Sequence, residues 1–479
     1  MVKNRRILLS GASIATAMQV RQGTLLIEDD TIAEIWYRDD DGSTTYNGKK
    51  IRYEELENSI LNDKSDTELL NLSGKVIMAG GIDAHVHFRE PGMTYKADMK
   101  SESKAAMLGG VTSFIDMPNT KPVTTDMTRL HEKCALAKDR CYTNWGFHIG
   151  ADNDNPPLIK EWLEGDRGNE FAGVKVFMGS STGNMLVDKG KALENLFSIQ
   201  NARILIHSED ESIIKANLER AKAEFGDNIP IREHENIRSR TACIRSTIKA
   251  LEMAMKHGTK LHICHVTTAE EIEMIRAAKQ YNPNITAETS ANYLWFCDED
   301  YNRLGSLIKC NPSIKTAKDR AALRQALKDG IIDTIGSDHA PHLAEEKQRP
   351  YTTCPSGMPS IQQAISVLLT IASEENIPLN VIASAISEKP SELFGIEKRG
   401  SLRKGYLADI IVIDTEKEFI VGQSEAGAAW AAYKCGWTPY KGTKLKGFVE
   451  TVFLGGIQVV KNGLSCDEIP HGKALTFKK

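Results

Sequence analysis

Between residues 76 and 337, short apolar segments alternate with stretches of helical periodicity, and this alternation restricts the fold more than any other feature of the chain. A short apolar run followed by an amphipathic helix is typical of a βα unit, and successive units build a parallel sheet. The apolar runs are Val76–His87, Val111–Asp116, Thr143–Ile149, Gly173–Phe177, Ile204–His207, Lys260–His265, Ile285–Glu288 and Ile331–Ser337. The helix-like stretches include Ala97–Leu108, Met127–Lys138, Ser239–His257, Ala269–Tyr281 and Ala317–Asp329. Eight βα units predict an α/β fold of the (β/α)8 TIM-like barrel type.

The two ends of the chain have the pattern of short β-strands. Thr24–Ile27 and Thr31–Trp36 precede the alternating region, and Gly405–Asp414 and Gly447–Gly456 follow it. Neither end is long enough to bury a good core alone. We therefore predict that residues 1–75 and 396–479 together form a small β-sandwich domain beside a barrel of residues 76–395.

Composition excludes several classes of partner. Of the 479 residues, 41% are hydrophobic and 26% charged, which is ordinary for a soluble globular protein. The net charge of −4 argues against nucleic acid or an anionic membrane as a partner, and no segment approaches the ~20 apolar residues of a membrane span. The nine scattered cysteines, with no CxxC pair, indicate free thiols and a cytoplasmic location. We expect a small-molecule substrate and a homodimer.

Residues that can bind metal or carry protons stand where five of the runs end. They are His85, His87, Lys175, His207, His265 and Asp338. Residues i and i+2 of a strand share a face, so His85 and His87 can approach the same ion. A barrel enzyme keeps its active site at the carboxyl ends of its strands. The pattern predicts a metal site there, although a pair of histidines alone would be a weak signal.

Two of these positions have alternative interpretations. His262 and His265 are three residues apart and cannot both point inward from a strand; we choose His265 and expect His262 to face the surrounding helices. A lysine at a strand end is usually a snorkelling side chain or part of an ion pair, and its ammonium cannot bind a metal. Carbamylation of Lys175 by carbon dioxide would turn it into an anionic oxygen ligand able to bridge two ions.

Several segments resemble those of a known enzyme family. They are Gly81–Gly92 (GIDAHVHFREPG), Asp116–Thr120, Cys264–Thr268, Lys309–Pro312, Gly336–His342 and Lys434–Gly442. The first is similar to the signature of dihydroorotases, which are cyclic amidohydrolases related to hydantoinases and allantoinases. The resemblance covers nearly the whole chain. The Gly-Val-Lys context of Lys175 is closer to the hydantoinase and allantoinase branch.

The resemblance implies a site with two Zn²⁺ ions per subunit. His85 and His87 would bind one ion and His207 and His265 the other, with a carbamylated Lys175 and a hydroxide as bridges. Asp338 would complete the first ligand set and act as general base and then as general acid. The implied reaction is the reversible hydrolysis of dihydroorotate to N-carbamoyl-aspartate in pyrimidine synthesis.

The implied substrate carries a carboxylate, which a guanidinium can bind with two parallel hydrogen bonds. Arg89, two positions after His87, is the candidate for this contact. The resemblance adds Asn119 and His342 as carboxylate contacts and Asn311 as a contact to the ring. The alternative for Arg89 is a surface salt bridge with Glu90.

Three further questions remain open at this stage. The substrate could instead be that of an allantoinase or a hydantoinase, whose members lack an arginine at the Arg89 position. The chain could also be a catalytically inactive structural subunit, although such chains would be expected to lose metal ligands. Finally, the polar run Glu345–Arg349 favours a solvated loop over residues 343–356, with a lid over the site as the alternative.

Overall fold

The computed structural model describes residues 5–63, 66–178 and 185–478. Its strands are β1 (Arg6–Ala15), β2 (Val20–Glu28), β3 (Thr31–Tyr37), β4 (Ser43–Tyr46), β5 (Lys49–Arg52), β6 (Thr67–Asn71), β7 (Val76–Ala79), β8 (Gly81–Val86), β9 (Val111–Asp116), β10 (Asn144–Phe147), β11 (Ile149–Gly150), β12 (Val174–Phe177), β13 (Arg203–His207), β14 (Lys260–Ile263), β15 (Thr286–Thr289), β16 (Thr334–Ile335), β17 (Ile410–Ile420), β18 (Lys444–Leu454), β19 (Ile457–Lys461) and β20 (Leu464–Ser465). Strands therefore dominate both ends of the chain and recur at intervals between them.

Most of the helices lie between or directly after the central strands, and α1 lies between β5 and β6. They are α1 (Tyr53–Asp63), α2 (Met99–Leu108), α3 (Met127–Ala137), α4 (Pro156–Glu164), α5 (Gly190–Phe197), α6 (Glu211–Phe225), α7 (His234–Ile237), α8 (Arg240–His257), α9 (Ala269–Lys279), α10 (Ala291–Trp295), α11 (Tyr301–Leu304), α12 (Ala317–Lys328), α13 (Ala344–Lys347), α14 (Ile361–Glu375), α15 (Leu379–Ala383) and α16 (Lys389–Phe394). The five helices named from sequence are confirmed as α2, α3, α8, α9 and α12, with ends that differ by at most two residues.

Strands from both ends of the chain share one nine-stranded sheet. Its order is β20-β19-β18-β17-β7-β1-β2-β3, and β6 pairs with β1 on the side. The two ends meet where β7 runs antiparallel to β17, with Ile77 opposite Val412. Buried aliphatic side chains such as Leu9, Ile14 and Val412 form the core on one face of this sheet. The sheet flanks the central region, as the β pattern at the two ends predicts.

The central strands form two parallel sheets. One has the order β10-β9-β8 and the other the order β11-β12-β13-β14-β15-β16. Every predicted apolar run overlaps a strand, and the third overlaps both β10 and β11, which are edge strands of the two sheets. Beyond β16, a parallel bridge joins His339 to Val86 of β8, and the His87 N–H donates to the His339 carbonyl oxygen at 2.8 Å. The carboxyl ends of these strands carry the candidate residues.

The first predicted run is wrong as a single strand. Val76–Ala79 is β7 of the nine-stranded sheet, whereas Gly81–Val86 is β8 of a parallel sheet. The chain changes sheet at Gly80, where a Cβ atom would stand 2.2 Å from Oγ1 and 2.3 Å from Cγ2 of Thr112. An apolar run shows that its residues are buried but not which sheet they join. The division falls at Gly80, where the close approach of Thr112 leaves no room for a side chain.

We expect Gly80→Ala to destabilise the fold by about 1–3 kcal/mol, because the added methyl group overlaps the Thr112 side chain in a packed junction. Urea unfolding monitored by circular dichroism measures the loss. The double variant Gly80→Ala/Thr112→Ala removes the two closest contacts and leaves the one with Cβ of Thr112 at 2.8 Å, so it should recover part of the stability. Equal loss in the single and double variants would show that the Thr112 contact is not the cause.

The state of the cysteines and the length of the helices relate to two of the sequence predictions, free thiols and the absence of a membrane span. All nine cysteines are free thiols, and six of them are buried. The prediction of free thiols is therefore confirmed. Within the described ranges, no helix is both long and apolar enough to cross a membrane.

Candidate metal centre and substrate cavity

A cavity of about 320 Å³ opens at the carboxyl ends of the parallel strands. It is lined by His85, His87, Arg89, Asn119, Lys175, Phe177, His207, Arg238, His265, Asn311, Asp338, Ala340, Pro355, Ser356 and Gly357. Nine of the ten predicted site residues are in this lining, and the tenth, His342, contacts Arg89 from behind. Residues up to 253 positions apart in sequence thus meet in one place.

One cluster in the cavity consists of His85, His87 and Asp338. Oδ1 of Asp338 lies 3.5 Å from Nε2 of His85 and 3.2 Å from Nε2 of His87. One nitrogen or oxygen atom from each of the three lies within 4.8 Å of the others. Two imidazoles and a carboxylate at this spacing are a donor set that suits zinc.

The tautomers of both histidines in this cluster follow from partners behind them. Nδ1 of His85 lies 2.6 Å from a carboxylate oxygen of Glu288, and Nδ1 of His87 lies 2.7 Å from Oδ1 of Asn119. These oxygens only accept, so each Nδ1 donates to its partner, and each Nε2 faces Oδ1 of Asp338, where a metal ion could be coordinated by all three atoms. Such partners are typical of histidines that bind metals.

His207 and His265 form a second cluster. Nδ1 of His207 lies 3.0 Å from Nε2 of His265, and Nε2 of His207 donates to Glu209 at 2.9 Å. Burial raises the pKa of Glu209, but the Arg238 guanidinium and His207 outweigh it and lower that pKa to about 2. The ionised Glu209 therefore keeps the His207 proton on Nε2 and leaves its Nδ1 lone pair facing His265.

Lys175 is buried beside both clusters and is 1% exposed. Its Nζ lies 3.2 Å from Sγ of Cys264, and among the described residues no carboxylate forms a salt bridge with it. A buried ammonium without a counter-charge is costly. A carbamate on Nζ would instead present two oxygens to the imidazoles, so the surroundings of Lys175 fit a bridging ligand.

The prediction that His262 faces the helices is wrong. Its Nδ1 lies 2.9 Å from Oγ1 of Thr286, and its Nε2 lies 3.5 Å from Glu288, the carboxylate that also holds His85. The parity argument fails because β14 ends at Ile263, before His265 is reached. His265 has a φ of +39°, so the chain turns there and both histidines reach the interior.

Two other residues of the cavity have left-handed backbones. Arg89 has a φ of +66° and Asp338 a φ of +48°. Residues other than glycine rarely adopt this conformation, and those that do cluster at functional sites. At these positions the turn directs the side chain into the cavity just after a strand has ended.

Arg89 is buried without an acidic partner in the described parts of the chain. It is 3% exposed, and its Nε donates to the Pro341 carbonyl oxygen at 3.1 Å. Burial lowers the pKa of Arg89 to about 10, which leaves the guanidinium charged at neutral pH. The alternative salt bridge with Glu90 is wrong, because Glu90 pairs with Arg140 at 2.9 Å and accepts from the Met99 N–H. The guanidinium is thus a buried cation without a salt bridge to any described carboxylate, and it can bind an anionic group of a ligand.

The two asparagines of the lining are placed differently. Oδ1 of Asn311 is buried without a hydrogen-bond partner in the described structure, which is uncommon and fits a group reserved for a ligand. Oδ1 of Asn119 is occupied by His87, so its amide NH₂ is the part that could donate to a ligand. Their roles toward a substrate remain predictions.

The sequence analysis missed residues that support the site. Glu209 and Glu288 hold histidines, Arg238 lines the cavity, and Lys96 lies 2.8 Å from Nδ1 of His342. Glu288 ends the seventh apolar run and Glu209 is two positions after His207, so strand-end position could have identified both. Nothing local distinguishes Arg238 or Lys96.

The loop after His342 is solvated only in part: Glu345, Gln348 and Arg349 are exposed, as the sequence interpretation predicts, whereas the two residues between them are buried. Glu346 is 6% exposed and Lys347 is fully buried. Nζ of Lys347 donates to the carbonyl oxygens of Lys309, Pro355 and Gly357 at 2.8–3.0 Å. The last two residues of this loop, Pro355 and Ser356, line the cavity.

Comparison with known proteins finds a family model and relatives that each match most of this chain. The family model described as "Amidohydrolase family" matches residues 76–459. A dihydroorotase of Methanosarcina mazei is 33% identical over 389 residues, covering 79% of this chain and 82% of its own. A dihydroorotase of a Geobacillus species is 28% identical and covers 93% and 99%, respectively.

Solved structures show the same fold at lower sequence identity. The L-hydantoinase of Arthrobacter aurescens superposes with a TM-score of 0.86 at 23% identity over 98% of this chain and 99% of its own. The dihydropyrimidinase of Brevibacillus agri superposes with a TM-score of 0.84 at 23% identity over 99% and 100%. Both comparisons cover the terminal β segments as well as the central region.

Proposed function

This chain belongs to the amidohydrolase family, and we propose that it is a metal-dependent hydrolase of cyclic amides whose substrate pair is dihydroorotate and N-carbamoyl-aspartate. The related dihydroorotases support this assignment. The observation that carries it is the buried Arg89, which has no acidic partner among the described residues and lies in the same cavity as the histidine clusters.

For the fold, we propose that the two parallel sheets are parts of one (β/α)8 barrel and that the terminal strands form a small β-sandwich domain. The bridge between His339 and Val86 supports the first statement, because it joins the strand region after β16 to β8. The shared nine-stranded sheet supports the joining of the two chain ends in one small β domain, and the sandwich arrangement remains our proposal. The sequence predicts a barrel of residues 76–395, but β7 belongs to the nine-stranded sheet, so we place the start of the barrel at Gly81, where β8 begins.

The donor set fits two divalent metal ions, for which we propose zinc. His85, His87 and Asp338 would hold one ion and His207 and His265 the other, with Lys175 as the carbamate between them. Bound zinc would polarise the amide carbonyl and lower the pKa of water. Glu288, Asn119 and Glu209 supply the acceptors that leave three of the imidazoles ready to coordinate.

Asp338 is placed to move the proton that amide hydrolysis requires. Burial raises the pKa of Asp338, but the contacts with His85 and His87 outweigh it and lower that pKa below its usual value. Asp338 is therefore ionised near neutral pH and can accept a proton from the attacking water. It can then return the proton to the ring nitrogen as the amide bond breaks.

Arg89 orients the substrate by its carboxylate. A guanidinium can form two parallel hydrogen bonds to a carboxylate, and in a buried site such bonds are strong and directional. The substrate's carboxylate would supply a direct ion-pair partner, because among the described residues the Arg89 side chain contacts a backbone carbonyl oxygen and an imidazole rather than a carboxylate. Hydantoin and allantoin carry no carboxylate, so they cannot use this contact.

A substrate panel tests the assignment. We expect the zinc-loaded protein to hydrolyse dihydroorotate, and to form it from N-carbamoyl-aspartate, while hydantoin and allantoin turn over at least 100-fold more slowly. Loss of turnover after chelation and recovery on adding zinc would support the metal requirement. Faster turnover of hydantoin or allantoin than of dihydroorotate would overturn the substrate assignment. Absence of turnover with every cyclic amide would overturn the proposal that the protein is an amide hydrolase.

Replacing Lys175 tests the bridge. We expect Lys175→Ala to reduce bound zinc from two ions per chain to one or fewer, because the anionic bridge between the two ligand sets is lost. Added acetate or propionate should partly restore both the second ion and the activity. Lys279→Met, which removes a lysine that pairs with Asp333 at 2.5 Å outside the cavity lining, is the control. Unchanged zinc content in Lys175→Ala would contradict the bridge.

A further inference from the structure

Three groups compete for the two ring nitrogens of His342. Nζ of Lys96 lies 2.8 Å from Nδ1, whereas Nη2 of Arg89 and the carbonyl oxygen of Ser356 each lie 3.0 Å from Nε2. A neutral imidazole has one N–H and one lone pair. The three contacts therefore cannot all be hydrogen bonds.

The tautomer of His342 follows from the groups around it. Burial, then the charges of Arg89, Lys96 and Lys347, hold the pKa of His342 far below its ordinary value, so the ring is neutral. An ammonium can only donate, so Nδ1 accepts from Lys96 and carries no proton. The nearest carboxylate, Glu346, lies 3.6 Å from Nδ1, too far for a hydrogen bond. The proton is on Nε2 and is donated to Ser356.

This tautomer prevents His342 from accepting a hydrogen bond from Arg89. The Nη2 atom of Arg89 faces an N–H at 3.0 Å rather than a lone pair. Its Nε is already bonded to the Pro341 carbonyl oxygen. The terminal N–H groups of the guanidinium consequently lack an acceptor at His342 and are left for a ligand.

We propose that Lys96 is a positioning residue that determines specificity: by holding His342 as the Nε2–H tautomer, it keeps the terminal N–H groups of Arg89 available to a substrate carboxylate. This inference rests on the proposed function for the identity of that carboxylate. Lys96 itself is fixed by an ion pair of 3.1 Å with Glu346 and is 7% exposed.

Removing the ammonium should reverse the arrangement. Without Lys96, Glu346 loses its cation and becomes the acceptor nearest to Nδ1 of His342. The proton then moves to Nδ1, and the lone pair on Nε2 accepts from Arg89. One terminal N–H of the Arg89 guanidinium is then hydrogen-bonded to His342, and the substrate carboxylate has to replace that hydrogen bond.

Nitrogen NMR of protein labelled with ¹⁵N-histidine reads the tautomer directly. The His342 signals are identified by their absence in His342→Asn. We expect the Nε2–H form in the native chain and in Lys96→Arg, where the replacement side chain also only donates, and the Nδ1–H form in Lys96→Met. Lys434→Met, which removes a nearby lysine paired with Asp98 at 2.7 Å, should leave the spectrum unchanged.

Kinetics of the zinc-loaded enzyme supply the second readout. We expect Lys96→Met to raise KM for dihydroorotate about 10- to 100-fold, the effect of weakening a charged hydrogen bond, while kcat changes less than threefold. Lys96→Arg should recover most of the affinity. A general structural defect would instead lower kcat and the melting temperature together.

Two results would overturn the inference. One is a native His342 in the Nδ1–H form, which is decisive even if every variant misfolds. The other is Lys96→Met with an unchanged tautomer or an unchanged KM. If the native enzyme does not turn over dihydroorotate, the proposed function fails, whereas the NMR result still decides whether Lys96 sets the tautomer.

Discussion

Asp338→Asn is expected to lower kcat for dihydroorotate hydrolysis by about 10²- to 10⁴-fold, the usual contribution of a positioned general base. Asp338 is the only carboxylate among the described residues that line the cavity, so no neighbour can take over the proton. Asparagine keeps an oxygen that can face the histidines but cannot accept the proton. Steady-state kinetics and zinc analysis on the same sample separate loss of the base from loss of metal.

Asp333→Asn is the matched control for this variant. Asp333 lies just before β16, whereas Asp338 lies just after it, and it pairs with Lys279 at 2.5 Å outside the cavity lining. We expect kcat to remain within about threefold of the native value in this control. If Asp338→Asn retains full zinc and a kcat within tenfold of the native enzyme, Asp338 is not the base.

Arg89→Met is expected to lower kcat/KM for dihydroorotate by about 30- to several-thousand-fold, because truncating one partner of a buried charged pair costs about 2–5 kcal/mol. Turnover of hydantoin, which has no carboxylate, should not fall. Arg89→Lys keeps the charge but not the planar fork, and we expect an intermediate loss. The measurement is kcat/KM for both substrates with each variant.

Arg203→Met is the control for removal of a buried guanidinium. Arg203 donates to the Asn284 carbonyl oxygen at 3.1 Å, does not line the cavity, and has its pKa lowered by burial to about 10, as Arg89 has. Melting temperatures of both variants show whether stability accounts for any loss. An equal fall in kcat/KM for dihydroorotate and hydantoin in Arg89→Met would show that Arg89 does not bind the substrate carboxylate.

The candidate site was largely predictable because strand ends are visible in a sequence. A polar residue directly after an apolar run lies at the carboxyl end of a strand, and in a parallel sheet all such ends meet at one edge. His85, His207 and Asp338 were found in this way, and the structure brings them to the same cavity. The resemblance to dihydroorotases supplied Asn119, Asn311 and His342, which periodicity does not reveal.

The errors arose where backbone geometry or a distant partner decides the outcome. His262 and His265 were assigned by strand parity, which does not apply once a strand has ended and the chain turns at a positive φ. A charged run predicts solvated side chains at Glu346 and Lys347, yet three backbone carbonyl oxygens outside the run accept hydrogen bonds from Lys347. Neither situation leaves a periodic signal.

The sequence by itself determined the alternation of strands and helices, the class of chemistry and most of the residues that meet in the cavity. These follow from local periodicity and from residue type, both of which are properties of short segments. Only the tertiary structure decided that Gly80 divides the first run between two sheets, that Glu90 pairs with Arg140, and that Lys96 faces His342. Those outcomes depend on contacts between residues far apart in the chain, and a buried charge acquires its role from the partner that packing places beside it.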